Sequence, residues 1–190
     1  MTQARFAPQR CRNLLTRCAI GAIRCLAALL LLLGPATALT LEPSATRSEQ
    51  GFDVFAFVTV DTNWQEKWQT PRSTTPIFDT RSNVSPGQTI TLLILFRGAE
   101  MNEKGINLAC DVKIIAPDGA VLGELPPTPC GQGKVPNPKT DFYMATRNVE
   151  ILLTDDFPRG PLVFLVGVKD NLRDVHLPLA LAVNVVDAKQ

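Results

Sequence analysis

Histidine is nearly absent from this chain. Its 190 residues include one histidine and one tyrosine, and that scarcity removes several kinds of chemistry at once. A nucleophilic triad draws its base from histidine in most cases, and the single candidate, His176, stands just before "LPL" with no G-x-S-x-G elbow anywhere in the chain. That setting reads as an exposed or edge-strand histidine. Zinc has no ligand set either, because His176 is the only soft donor besides the cysteines. No C-x-x-C pair suggests redox exchange, no glycine-rich strand-to-helix turn suggests a phosphate cradle, and no apolar run approaches the roughly 20 residues of a spanning helix. The sequence calls for no cofactor and no metal.

Basic charge is also missing from most of the chain. Nineteen Lys and Arg stand against eighteen Asp and Glu, but five of the arginines (Arg5, Arg10, Arg12, Arg17 and Arg24) and none of the acids fall in the first 38 residues, so the remainder carries a net charge of −4. A mildly acidic domain without a basic run lacks the electrostatic footprint of a nucleic-acid binder.

What the first 38 residues do contain is the order of a secretory signal: arginines, then "CLAALLLLLG", then "GPATAL" with small residues at Ala36 and Ala38. The expectation is cleavage after Ala38, with no membrane span left on the product, in preference to an uncleaved anchor. The product is then periplasmic or secreted. Cys25 precedes the apolar core and is not placed as a lipoprotein acceptor. Residues 39–190 have the length of one domain, large enough to bury a core.

Of five cysteines, Cys11, Cys18 and Cys25 leave with the leader, and Cys110 and Cys130 remain. Two thiols in an oxidising compartment predict one structural disulfide.

The remaining pattern is that of strands. Phe52, Val54, Ala56, Val58 and Val60 alternate, as do Ile90, Leu92, Ile94 and Phe96, and then Cys110, Val112 and Ile114. "PDG" followed by "AVLGEL" reads as a hairpin. "PPTPCGQGKVPNP" reads as a long surface loop, because prolines cannot donate within a central strand. "NVEILLTD", "PLVFLVGVKD" and "HLPLALAVNVV" supply three more strands, and "PIFDTRS" another. Seven or eight short strands and no helix of ordinary length predict an all-β, immunoglobulin-like, two-sheet antiparallel sandwich, with a closed barrel as the alternative.

One segment departs from this. In "DTNWQEKWQTP", Thr62 and Gln65 are spaced as a capping box and Pro71 closes the stretch, so a short helical turn is expected, with Trp64 and Trp68 at i and i+4 on one face. The two indoles either cover an end of the sandwich or form a platform. Phe55 and Phe57, on the opposite face of the first strand from Val54, require that face to be covered by a loop, the helical turn or a partner. Trp64, Trp68, Phe55, Phe57 and Tyr143 are therefore the candidate binding surface.

Weaker candidates are the adjacent carboxylates Asp155 and Asp156, which read as turn-formers, and "DNLRD", where Asp170, Asn171 and Asp174 lack the spacing of a calcium loop. "NVS" at 83–85 is a formal glycosylation triplet.

The leader, the Trp64/Trp68 turn, "VSPGQTITLLILFRGAEMNEKGINLACDVKIIAPDG" and the closing "PRGPLVFLVGVKDN" together resemble a group of uncharacterised exported β-sandwich proteins of Gram-negative bacteria. Leu162 stands where that group's pattern has an aromatic. The resemblance implies a fold and a location and carries over no active-site residue. The functional expectation is a non-enzymatic binding or accessory protein of the cell envelope with a protein partner. Two alternatives are a carbohydrate-binding module using Trp64, Trp68 and Tyr143, and a periplasmic inhibitor or immunity protein acting through a loop such as 126–139.

Overall fold

The computed structural model describes residues 42–70 and 75–187. The expected leader with its cleavage site at Ala38 and three of the cysteines lies outside the described residues, as does Pro71.

Ten strands and one short helix follow in order: β1 (Ser44–Glu49), β2 (Phe52–Thr59), α1 (Trp64–Trp68), β3 (Asn83–Val84), β4 (Thr89–Arg97), β5 (Ile106–Ile115), β6 (Val121–Gly133), β7 (Tyr143–Met144), β8 (Val149–Leu152), β9 (Gly160–Asp170) and β10 (Val175–Val185). They form two sheets. Sheet A runs β1-β2-β4, with β7 and β8 both paired to the far side of β4; sheet B runs β3-β10-β9-β5-β6. This is the expected two-sheet sandwich, antiparallel except for the two-residue parallel pairing of β3 with β10.

Period-two alternation places the core. Along β5 every second residue from Ile106 is buried, and β9 and β10 place Phe164, Val166, Leu179 and Leu181 on the same inner face. Val54, Leu92 and Ile94 of sheet A close on them from the other side. Such a one-residue alternation pins register, because a slip by one would turn the apolar set to solvent.

The first hairpin turns through Gln50 and Gly51, both at positive φ (51° and 78°). Two such residues match the right-handed twist of the flanking strands. Gly98, at φ 76°, lies against this turn so closely that a Cβ would run into the Gly51 carbonyl, so no other residue fits there.

Three expectations need correction. "PPTPCGQG" is not a loop: it continues β6 to Gly133, and the loop begins only at Lys134. The physical reason is position, since β6 is the outermost strand of sheet B, and an edge strand tolerates prolines whose missing N–H would have faced away from the ladder. Register shifts against β5 around Leu108/Ala109 and Cys110/Val112 accommodate them. "PIFDTRS" is not a strand; it runs as an extended segment joined to the sheets by single bonds, Val60 N–H to the Asp79 carbonyl and Asn184 N–H to the Ser82 carbonyl. The helical turn starts one residue later than a capping box at Thr62 requires: Asn63 occupies the N-cap position and makes no side-chain cap.

Cys110 and Cys130 form the expected disulfide, with Cα atoms 5.6 Å apart. It joins neighbouring strands of one sheet, at the irregular part of the β5–β6 pairing, and both residues are buried.

Candidate functional site: one covered face and one open face

The outer face of sheet A is covered. Phe57 and Leu93 are fully buried there, with Leu95 and Trp64 nearly so, and Phe55, Trp68, Phe78 and Met144 pack around them. Phe57 lies between Phe55 and Phe78, each with its ring centroid 5.1 Å away. The cover consists of α1 and the extended segment carrying Phe78. A polar clamp holds it: Asp61 accepts from Lys67 Nζ at 2.6 Å, from the Asp79 N–H at 2.7 Å and from Thr59 Oγ1 at 3.2 Å. Burial pushes the Asp61 carboxyl up, but these bonds outweigh it and hold the group below the usual carboxylate range. At the far end of the same face, Asp53 accepts from Ser48 and Arg97, and both bonds lower its pKa. The Arg97 guanidinium also lies 4.7 Å over the Phe142 ring.

The candidate surface of Trp64, Trp68, Phe55, Phe57 and Tyr143 is therefore not assembled as an exposed patch. Phe57 and Trp64 are buried (1% and 8% exposed), because the helical turn is what covers the second face of β2. Phe55 and Trp68 are half-buried around them. Tyr143 belongs elsewhere: its ring packs toward the main core beside Phe96, at 5.9 Å, and its hydroxyl donates to the Pro136 carbonyl. The trio Trp64, Trp68 and Tyr143 does not share one surface.

The turn from Asp170 to Asp174 is likewise committed to structure. Asp170 is fully buried, and its carboxylate accepts N–H bonds from Glu100 at 2.8 Å, Leu172 at 3.0 Å and Arg173 at 3.3 Å. Asp174 pairs with Lys169 at 2.7 Å. Arg173 then ties this turn to Glu100 and to the Gln50 carbonyl, locking one end of the sandwich. Among the described residues no group of three or more His, Cys, Asp or Glu is placed to hold a metal ion.

Sheet B differs: on its outer face Leu165 of β9 and His176, Pro178 and Ala180 of β10 are exposed. Across the middle of that face, Asp111 of β5, Gly167 of β9 and Pro178 of β10 stand in one row, and His176, Lys169 and Ala109 in the next. A groove of about 430 Å³ opens here, with Leu165, Pro126 and Pro127 among its lining and Asp111, Lys113, Glu124 and His176 supplying charge and polarity. Leu165 of this lining is 38% exposed. His176 is the exposed histidine expected from the sequence, and its Nε2 lies 3.9 Å from Asp111 Oδ2.

Sequence reading passed over this groove. The signal was Gly167, an isolated glycine in "FLVGVKD", which marks a close approach of some other group to a strand. Here the approaching group is the Asp111 carboxylate.

No helix among the described residues is long and apolar enough to cross a membrane. No protein-family model matches the sequence, and no curated protein matches it. Among solved structures, the C-terminal domain of wzt is similar over 80% of this chain and 84% of its own, at 12% identity and a TM-score of 0.40. A Niemann-Pick type C2 protein from Japanese carpenter ant is similar over 78% and 96%, at 10% identity and a TM-score of 0.33. A family 123 glycoside hydrolase from Clostridium perfringens is similar over 72% of this chain, at 10% identity and a TM-score of 0.38, and this chain spans only 28% of it. With every TM-score below 0.5, these likenesses bear on neither activity nor ligand.

Proposed function

We propose that this protein is an exported, non-enzymatic binding protein of the bacterial cell envelope, and that it engages a protein partner through the outer face of sheet B. The observation that carries the reading is the asymmetry of the sandwich. One sheet has its outer apolar side chains under a lid, whereas the other leaves Leu165 and a proline-walled groove in solvent. Interfaces of this kind combine a small apolar centre with a polar rim, and here Leu165 pairs with Lys113 in the ladder, with Asp111, Glu124 and His176 elsewhere on the groove lining. The expected leader and the buried disulfide support an oxidising compartment such as the periplasm. The carbohydrate alternative loses its proposed platform, because Trp64 lies inside the lid.

The test is position-specific photo-crosslinking in cells, with the crosslinker placed at Leu165 or, on the opposite sheet, at Glu150. A discrete protein adduct from position 165 that is absent from position 150 supports the reading. Adducts of equal yield from both positions, or none from 165, sink it.

A further inference from the structure

Gly167 interrupts a face on which its neighbours carry side chains, and the gap is filled by a carboxylate. A Cβ at this position would fall within 2.8 Å of Asp111 Cγ and Oδ1, so the acid lies across the glycine of the adjacent strand. Two other charged pairs stand on this face. Lys113 Nζ lies 3.7 Å from Glu124, and Lys169 Nζ lies 2.7 Å from Asp174. Among the described residues, the ion-pair partner of Asp111 is His176 alone, at 3.9 Å, beyond hydrogen-bond distance. Among the described residues, neither carboxylate of the groove, Asp111 or Glu124, therefore has a cation within hydrogen-bond distance. Beside them stand Leu165 and the Pro126–Pro127 wall, apolar surface along which an aliphatic stem can lie.

We infer that this groove seats an arginine or lysine side chain of the partner protein, its cation on the Asp111 carboxylate and its methylenes against Leu165 and the two prolines. Long basic side chains bury their stems on apolar surface in this way, and a carboxylate hydrogen-bonded by a cation gains roughly twice what a neutral pair does. The assignment rests on the docking of a protein partner on this face and specifies the partner's chemistry.

The experiment is an amide chemical-shift titration of the exported protein with N-acetylarginine methylamide, with uncharged N-acetylnorleucine methylamide as the comparison. The arginine probe is expected to shift the amides of Asp111, Leu165 and Gly167 saturably. Asp111→Asn should weaken it about tenfold, the scale of one charged hydrogen bond, while an exposed turn change, Asp155→Asn, leaves it unaltered. Equal shifts from both probes, or undiminished arginine binding in Asp111→Asn, overturn the seat. The crosslink at position 165 separates this from the broader reading. If it persists at full yield in Asp111→Asn, docking stands and the cation seat falls; if it is absent while the probe binds, the assignment to a protein partner falls.

Discussion

The two outer faces of this sandwich carry similar raw material and are finished differently. Sheet A presents Phe55, Phe57, Leu93 and Leu95 outward, and the chain spends the α1 turn and the Phe78 segment covering them. Sheet B presents Leu165, Val163 and Ile115 outward amid small and charged residues, Leu165 exposed and the other two half-buried. The difference lies in size and charge. A face bearing two phenylalanines and two leucines in contact exposes too much apolar area to leave in water, whereas a small group of three aliphatics beside Lys113, Asp111 and Ala180 does not. The lid belongs to the stability of the fold, and the open face is left available.

That contrast can be broken in order of expected effect. Phe57→Ala, beneath the lid, is expected to cost about 3–5 kcal/mol in urea unfolding, as large-to-small changes at fully buried aromatics do. A cost under about 1 kcal/mol, the scale of a surface change, would mean that the lid is not packed. The disulfide comes next. The outermost strand of sheet B is tied to β5 by the Cys110–Cys130 link. Cys110→Ser with Cys130→Ser is therefore expected to cost about 2–4 kcal/mol, and free thiols in the mass map of the non-reduced protein would contradict the bridge. The smallest effect belongs to Leu165→Ser, which should stay within about 0.5 kcal/mol of the unaltered protein. A larger loss there would show that Leu165 is structural and would remove the distinction between the faces.

Most of the sandwich was legible because its long strands alternate cleanly. β2, β4, β5, β9 and β10 lie where period two puts them, and Cys110 and Cys130 were the only pair left to join. β1 was not legible: "SATRSE" is polar and mostly exposed, an edge strand held by backbone pairing to β2, with almost no apolar signal. β6 was misread for the opposite reason, since its prolines were weighed as if every strand were central. "PIFDTRS" has strand-like composition, but Asp61 and two isolated backbone bonds hold it in place of a ladder. The pairing of Trp64 with Trp68 on one helical face was readable. Whether that face met solvent or Phe57 was not, because it depends on which segment folds over sheet A. The groove was not legible because its lining comes from β5, β6, β9 and β10, and its acid, Asp111, reads in sequence as an ordinary outward-facing residue.

The prolines of β6 have a consequence for the company this protein keeps with itself. An unpaired strand edge is a template on which another chain can add, and long, regular edges seed aggregates. At thirteen residues β6 is the longest strand among the described residues, yet Pro126, Pro127 and Pro129 carry no backbone donor, and the offsets around Cys110 spoil the regular spacing such growth requires. The register shifts leave β5 with an irregular ladder on that side, where the covalent cross-link lies. The strand that offers the greatest length for misassembly among the described residues is thus poorly made for it, and the disulfide ties that strand to its one neighbour in the sheet.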